Sequence, residues 1–283
     1  MASESSGTTV DLSDAEQRDV DERTPPRAAV IFETVRREGE IELDRPVVSL
    51  AASGLAAGLS MGMSLVGEGL IRTLLPDEKW RPLIVSFGYT LGFLVVVLGR
   101  QQLFTENTVT AILPLLDDPD KGKVLRKVVR LWGVVLVANI SGAAIFAYAA
   151  VHSAMFDDSV RATFGALGRE AAAPTFGVIV VRGIVAGWLI ALMVWLMPGS
   201  EQLRLVVIVI VTYFVGLGSF SHIIAGSVEV LYVVASGGLS WAQYLGGFLL
   251  PVFIGNVIGG VTLVSLLNYA QVVAEGQAQP RRT

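Results

Sequence analysis

The sequence predicts an all-α membrane protein of six transmembrane segments, built as two inverted halves with helices two and five broken inside the bilayer. Three observations predict it. The 283-residue chain is 53% hydrophobic with a mean hydropathy of +0.62, and several apolar stretches reach the roughly 20 residues that a helix needs to cross a bilayer. Two of those stretches are interrupted, at residues 99–107 and 216–222. Unwound or polar backbone at that depth survives only where protein buries it or it lines a wet cavity, and paired breaks in two halves point to a substrate path. Finally, Asn139-Ile140-Ser141-Gly142 reappears as Asn256-Val257-Ile258-Gly259, 40 residues past Gly99 in the first case and 38 past Gly218 in the second. Three segments per half make the halves enter from opposite sides.

The elements follow in order. Residues 1–26 are polar, acidic and poor in aromatics, which predicts a disordered cytoplasmic tail. In 27–46, Ala28, Val30, Ile31 and Val35 share a helical spacing with Glu33, Arg36 and Arg37. That amphipathic stretch fits a helix on the membrane surface or under the pore, and a solvated linker equally well. The transporter domain spans 47–272, with segments at 47–71, 82–116 (broken), 128–152, 174–197, 203–235 (broken) and 241–270. The inverted repeats cover about 47–152 and 174–270, and 273–283 form a cytoplasmic tail.

Charge sets the orientation. With both termini inside, fourteen Lys and Arg fall on the inner side and five on the outer, and the densest cluster is Lys121, Lys123, Arg126, Lys127 and Arg130. Both termini are therefore expected in the cytoplasm, in a bacterial-type inner membrane. Trp80, Trp132 and Trp241 lie near segment ends, where interfacial anchors belong. Residues 1–24 lack the basic-then-apolar pattern of a cleavable signal peptide. The absence of Cys removes disulfides and thiolate metal sites. No basic patch suggests nucleic acid, and no metal-ligand, P-loop or nucleophile motif suggests an enzyme, so no cofactor is expected.

The small residues Gly54, Gly58, Gly62, Gly67, Gly255, Gly259 and Gly260 are expected to serve close helix approach. His222 follows the second break, and an imidazole there can protonate a weak-acid anion or hydrogen-bond one in transit. His152, at a segment end, is expected to be structural. Thr105 and Asn107 in the first break offer a hydroxyl and an amide to an ion that has lost water, beside free N–H groups at the new helix end. Leu103 and Phe104 would supply an apolar constriction. Glu68, Arg100, Glu106, Arg182 and Glu229 lie in or near spans. Their mixed signs predict interior ion pairs, above all for Arg182 and Glu229, while Arg100 and Glu106 flank the first break as candidate selectivity charges.

Leu103-Phe104-Thr105, Phe220-Ser221-His222 and Gly255-Asn256-Val257-Ile258-Gly259-Gly260 together resemble the signatures of the formate–nitrite transporter family, over about residues 27–270. The resemblance implies an aquaporin-like fold assembled as a homopentamer in membrane lipid, with a pore in each protomer for small monovalent anions such as formate or nitrite, often moved with a proton. It implies pore roles for Thr105 and His222, and constrictions at Leu103, Phe104, Phe214 and Phe220. The chain departs from the family pattern at Gln102, where an acid is frequent, at Glu106, where Gly is frequent, and at Gly187 and Gly226, where Asn is frequent. A carboxylate at Glu106 would repel anions unless it pairs with Arg100 or is protonated.

Two other readings stay open at this point. One is a pore for a neutral or cationic solute, motivated by Glu106 and Glu229. The other is a scaffold without transport, which polar breaks make an expensive construction.

Overall fold

Hydropathy and caps lay out the elements of the computed structural model, which describes residue 10 and residues 12–278. All regular structure among the described residues is helical. α1 (Asp14–Arg23) and α2 (Ala28–Asp44) precede α3 (Val47–Leu74) and α4 (Arg81–Leu98). After the first break come α5 (Phe104–Thr110), α6 (Ile112–Asp117) and α7 (Lys121–His152). α8 (Asp158–Ala172) and α9 (Phe176–Leu196) lead into α10 (Arg204–Leu217), the second break and α11 (Ile223–Ala235). The last segment is π-helical at Gln243–Leu249 and Gly259–Leu266, around α12 (Leu250–Ile258) and before α13 (Leu267–Ala278). Five helices are long and apolar enough to cross a membrane, and α11 is a shorter apolar one.

The tail differs from expectation. Residues 14–23 form a helix, started by a reciprocal cap: Ser13 N donates to Glu16 Oε2 at 2.9 Å, and Glu16 N donates to Ser13 Oγ at 3.4 Å. The rest of the tail, 1–9 and 11, lies outside the described residues, as do 279–283. Helix continues past 272 to Ala278.

α2 buries Phe32, Val35, Gly39 and Leu43 beneath the bundle. Lys127 donates to Asp44 at 2.5 Å, tying α2 to the start of α7. That link holds the Asp44 carboxyl below its usual range. α8 has no counterpart in the sequence reading, where its residues were expected in a loop. Val160, Phe164 and Gly168 recur every fourth residue and are buried, which is the stripe of an amphipathic helix. Phe164 meets Phe156 and Tyr232 edge-on. α2 and α8 therefore cover opposite ends of the bundle, since α7 starts beside α2 and ends just before α8. Trp80 and Trp241 are exposed, but Trp132 turns inward, donating from Nε1 to the Asn107 carbonyl at 3.0 Å.

The halves repeat in detail. α3 packs on α7 and α9 on α12. A Cβ at Gly58 would overlap the Asn139 carbonyl, and one at Gly187 would overlap Asn256. Gly187 is thus a packing requirement in this chain, and a larger residue there has no room.

Candidate functional site

Both breaks begin with the same helix stop. Gln101 N reaches back to Val96 O at 3.0 Å, and Phe220 N to Val215 O at 3.0 Å. Arg100 (φ 51°) and Ser219 (φ 49°) each take the left-handed conformation at the stop. Each break is then held by one buried asparagine. Asn139 Nδ2 donates to Gly54 O and Gln102 O at 2.7 and 2.9 Å, and its Oδ1 accepts from Phe104 N at 3.0 Å. Asn256 Nδ2 donates to Gly183 O and Ser221 O, both at 2.8 Å, and its Oδ1 accepts from Ile223 N at 2.9 Å. Each asparagine thereby satisfies a carbonyl and an N–H freed by its break inside the protein, as the hydrocarbon region demands.

The breaks are shorter than expected at the first site. Unwinding covers 99–103, and the chain is helical again from Phe104. Thr105, Glu106 and Asn107 therefore stand on the first turn of α5 rather than in the gap, because the Asn139 bond to Phe104 N restarts the helix early.

Thr105 and His222 meet. Thr105 Oγ1 lies 2.8 Å from His222 Nε2, and both residues are buried. His222 is also the N-cap of α11, its Nδ1 accepting from Ile224 N at 3.3 Å and Ala225 N at 3.2 Å. An Nδ1 that accepts carries no proton, so the neutral ring places its hydrogen on Nε2 and donates it to Thr105 Oγ1. The Thr105 hydroxyl hydrogen is then left to point elsewhere. Phe93 presses edge-on against the imidazole at 4.9 Å. The first N–H groups of α11 are all engaged, so they offer no free donor to an anion; at α5, Phe104 N is taken by Asn139.

Two cavities approach this contact from opposite ends. The α8-side cavity, about 270 Å³, is lined by Glu68, Tyr89, Arg182, Phe220, His222 and Glu229, among others. The α2-side cavity, about 430 Å³, reaches Glu38, Arg100, Gln102, Glu106, Asn107 and Arg204. They share no lining residue, and Leu103, Phe104 and Thr105 line neither. Leu103 is fully buried. Phe104 packs away from both cavities, stacked on Phe253 at 5.6 Å and edge-on to Trp132 at 5.7 Å. Phe214 is 52% exposed on the protein surface, so within the protomer it constricts nothing.

The charges also sort differently. Arg100 pairs with Glu38 on α2 at 3.0 Å, and Glu106 Oε1 is buried without a partner. Among the described residues Arg182 and Glu229 make no ion pair; instead Arg72 clamps Glu170 at 2.6 and 2.7 Å. Gln102 accepts from Asn107 Nδ2 at 3.1 Å, so its amide joins a neutral network on the first turn of α5. A Cβ at Gly226 would run into the Phe248 ring. His152 is exposed, its ring tilted against that of Tyr148 with centroids 4.2 Å apart. Sequence reading missed Tyr89 and Glu170 as cavity residues; neither sits near a break or in a motif. Among the described residues no His, Asp and Glu cluster suited to a metal occurs.

The comparisons with known proteins agree with this architecture. The formate/nitrite transporter family model matches residues 29–270. The chain is 42% identical over 252 residues to the inner membrane protein YfdC of Escherichia coli (strain K12), covering 89% of this chain and 81% of that protein. It is 26% identical over 247 residues to the formate channel BtFdhC of Bacillus thuringiensis, covering 85% and 93%. Among solved structures it resembles a pentameric formate channel with formate bound, with a TM-score of 0.68 at 20% identity, covering 80% of this chain and 98% of that one. An FNT family ion channel superposes with a TM-score of 0.71 at 18% identity, covering 86% and 98%.

Proposed function

Because the chain belongs to the formate/nitrite transporter family, we propose that it is a membrane pore for small monovalent anions of weak acids, with formate and nitrite as the first candidates. The observation that carries this reading is the Thr105–His222 hydrogen bond between the two breaks, set between two cavities. An ion leaving either cavity meets one short septum. There the Thr105 hydroxyl, relieved of its hydrogen-bond duty toward His222, can donate to it. His222 serves in this reading as a neutral donor that orients Thr105. Charging the ring would place a hydrogen on Nδ1 and forfeit both bonds to α11. Phe93 keeps the septum apolar, so only an ion of few atoms, or its neutral acid, passes without a large desolvation cost.

The assembly proposed is a homopentamer with one pore per protomer; the solved formate channel that the chain resembles is pentameric. We place it in the bacterial inner membrane, as the YfdC relative's name suggests. α10 and α11 together make the fifth of six crossings, and the basic start of α7 sets the α2 side in the cytoplasm.

The test is a flux panel in proteoliposomes. Formate and nitrite should move at rates above protein-free vesicles, with glycerol and potassium unmoved. Potassium flux without formate flux would favour the cation reading, which the unpaired Glu106 Oε1 motivates.

A further inference from the structure

The α8-side cavity gathers three carboxylates beside a path assigned to anions. Glu68 and Glu229 line it from α3 and α11, and Glu170 from α8. Glu170 is neutralised by the bidentate clamp from Arg72. Glu68 and Glu229 make no ion pair among the described residues. Glu68 is only 8% exposed, and its Oε2 is buried without a hydrogen-bond partner. The other polar or charged groups around them are Tyr89 on α4, Ser219, Ser221 and His222 in the second break, and Arg182 on α9, with the clamp's Arg72 one turn beyond Glu68 on α3. Arg182 makes no ion pair either, so its cation remains available to the cavity.

Two unpaired carboxylates lining one cavity cannot both keep full charge cheaply, and a proton held by either of them removes the repulsion. Resting on the anion-pore reading, we propose that Glu68 and Glu229 form a proton-holding carboxyl pair that donates to the substrate anion on the α8 side of His222. Arg182 draws the anion into the cavity. The O–H bond of the pair breaks and its electrons stay on the carboxylate. The proton forms a new O–H bond with an oxygen of the anion. The neutral acid then crosses the septum past Thr105 and His222, and releases its proton to water in the α2-side cavity. Water on the α8 side reprotonates the pair. This assignment gives the proton a source that His222, committed through Nδ1 to capping α11, does not provide.

The experiment uses the full chain in proteoliposomes, with labelled formate uptake and lumenal pH followed together. The wild type should acidify the lumen in step with formate entry. Glu68→Gln and Glu229→Gln should each cut acidification per formate by about tenfold and flatten the dependence of uptake on outside pH. Glu68→Asp and Glu229→Asp keep the acid and should keep the wild-type proton-to-formate ratio. Gln variants that assemble normally with an unchanged ratio and pH profile would overturn the proposal. If the Gln variants fail to assemble, loss of the ratio in the Asp variants overturns it, and retention there with a shifted pH profile supports it. A wild type that moves neither formate nor nitrite at any pH sinks the pore reading itself and the pair with it.

Discussion

Leu103 and His222 are structural equivalents: each is the last residue before a half-helix, and each lies between a carbonyl and an N–H gripped by the same buried asparagine. Only His222 caps its helix with a side chain, and that side chain hydrogen-bonds to the other half of the protein at Thr105. One site of a symmetric scaffold is thus apolar and its partner polar, which gives a symmetric frame a single hydrogen-bonding centre.

Capping and transport by His222 should separate. His222→Ala should lose about 1 kcal/mol of stability with the cap, whereas His222→Asn, a good N-cap, should stay within about 0.5 kcal/mol of wild type. Neither side chain reaches Thr105, so formate flux should fall about tenfold in both. Thermal unfolding of the detergent-solubilised protein, set beside liposome flux, checks this; equal stability losses in both variants would refute the capping role.

Thr105→Ser keeps the hydroxyl and should retain flux within about twofold, while Thr105→Ala should lose it about tenfold. Labelled formate uptake is the measurement. An Ala variant as active as Ser would remove Thr105 from the path.

The asparagines should be interchangeable in cost. Asn139→Leu and Asn256→Leu each strand two buried carbonyls and an N–H, for a loss above about 3 kcal/mol. Unfolding midpoints of the two variants should match closely. A tolerant half would mean that its break does not depend on the asparagine clamp.

Helix proximity gives a graded test. Gly187→Ala drives a methyl into Asn256 backbone and should destabilise by about 1–3 kcal/mol. Gly177→Ala, where a Cβ would meet nothing within 4 Å, should be neutral or stabilising by up to about 1 kcal/mol. The ordering of their unfolding midpoints decides.

The Arg72–Glu170 clamp predicts a pH signature. Arg72 holds the Glu170 carboxyl below its usual range. A carboxyl lowered by folding contributes stability above its unfolded value and loses it as pH falls through the folded one. Glu170→Gln should therefore cost less than about 1 kcal/mol at neutral pH, the pair being half-exposed, and nothing in strong acid. A cost that persists in strong acid would argue for packing instead.

Much of this was legible from residues alone. Hydropathy marked the segments, and the Gly-to-Asn spacing marked the repeat because the asparagine must return to the break it clamps. The second break was placed well, since Gly216, Gly218 and Ser219 have little helix propensity. The first was drawn too long: Thr105, Glu106 and Asn107 read as polar interruption, yet polarity does not unwind a helix whose first N–H is bonded by a distant Asn139. α8 was missed because its apolar stripe is thin and flanked by charge. Phe104 was read as a constriction because adjacency to Thr105 says nothing of which way a helical side chain points. Arg182 and Glu229 were expected to pair because opposite signs attract, but sign does not report distance between segments.

The septum between the cavities has an electrical consequence. In the proposed pore, water filling both cavities would conduct, so nearly all of the membrane voltage would drop across the layer holding Phe93, Thr105 and His222. A small side-chain change there would act on the whole driving force at once, and a widened layer would short-circuit the cell's proton-motive energy rather than merely admit a larger solute.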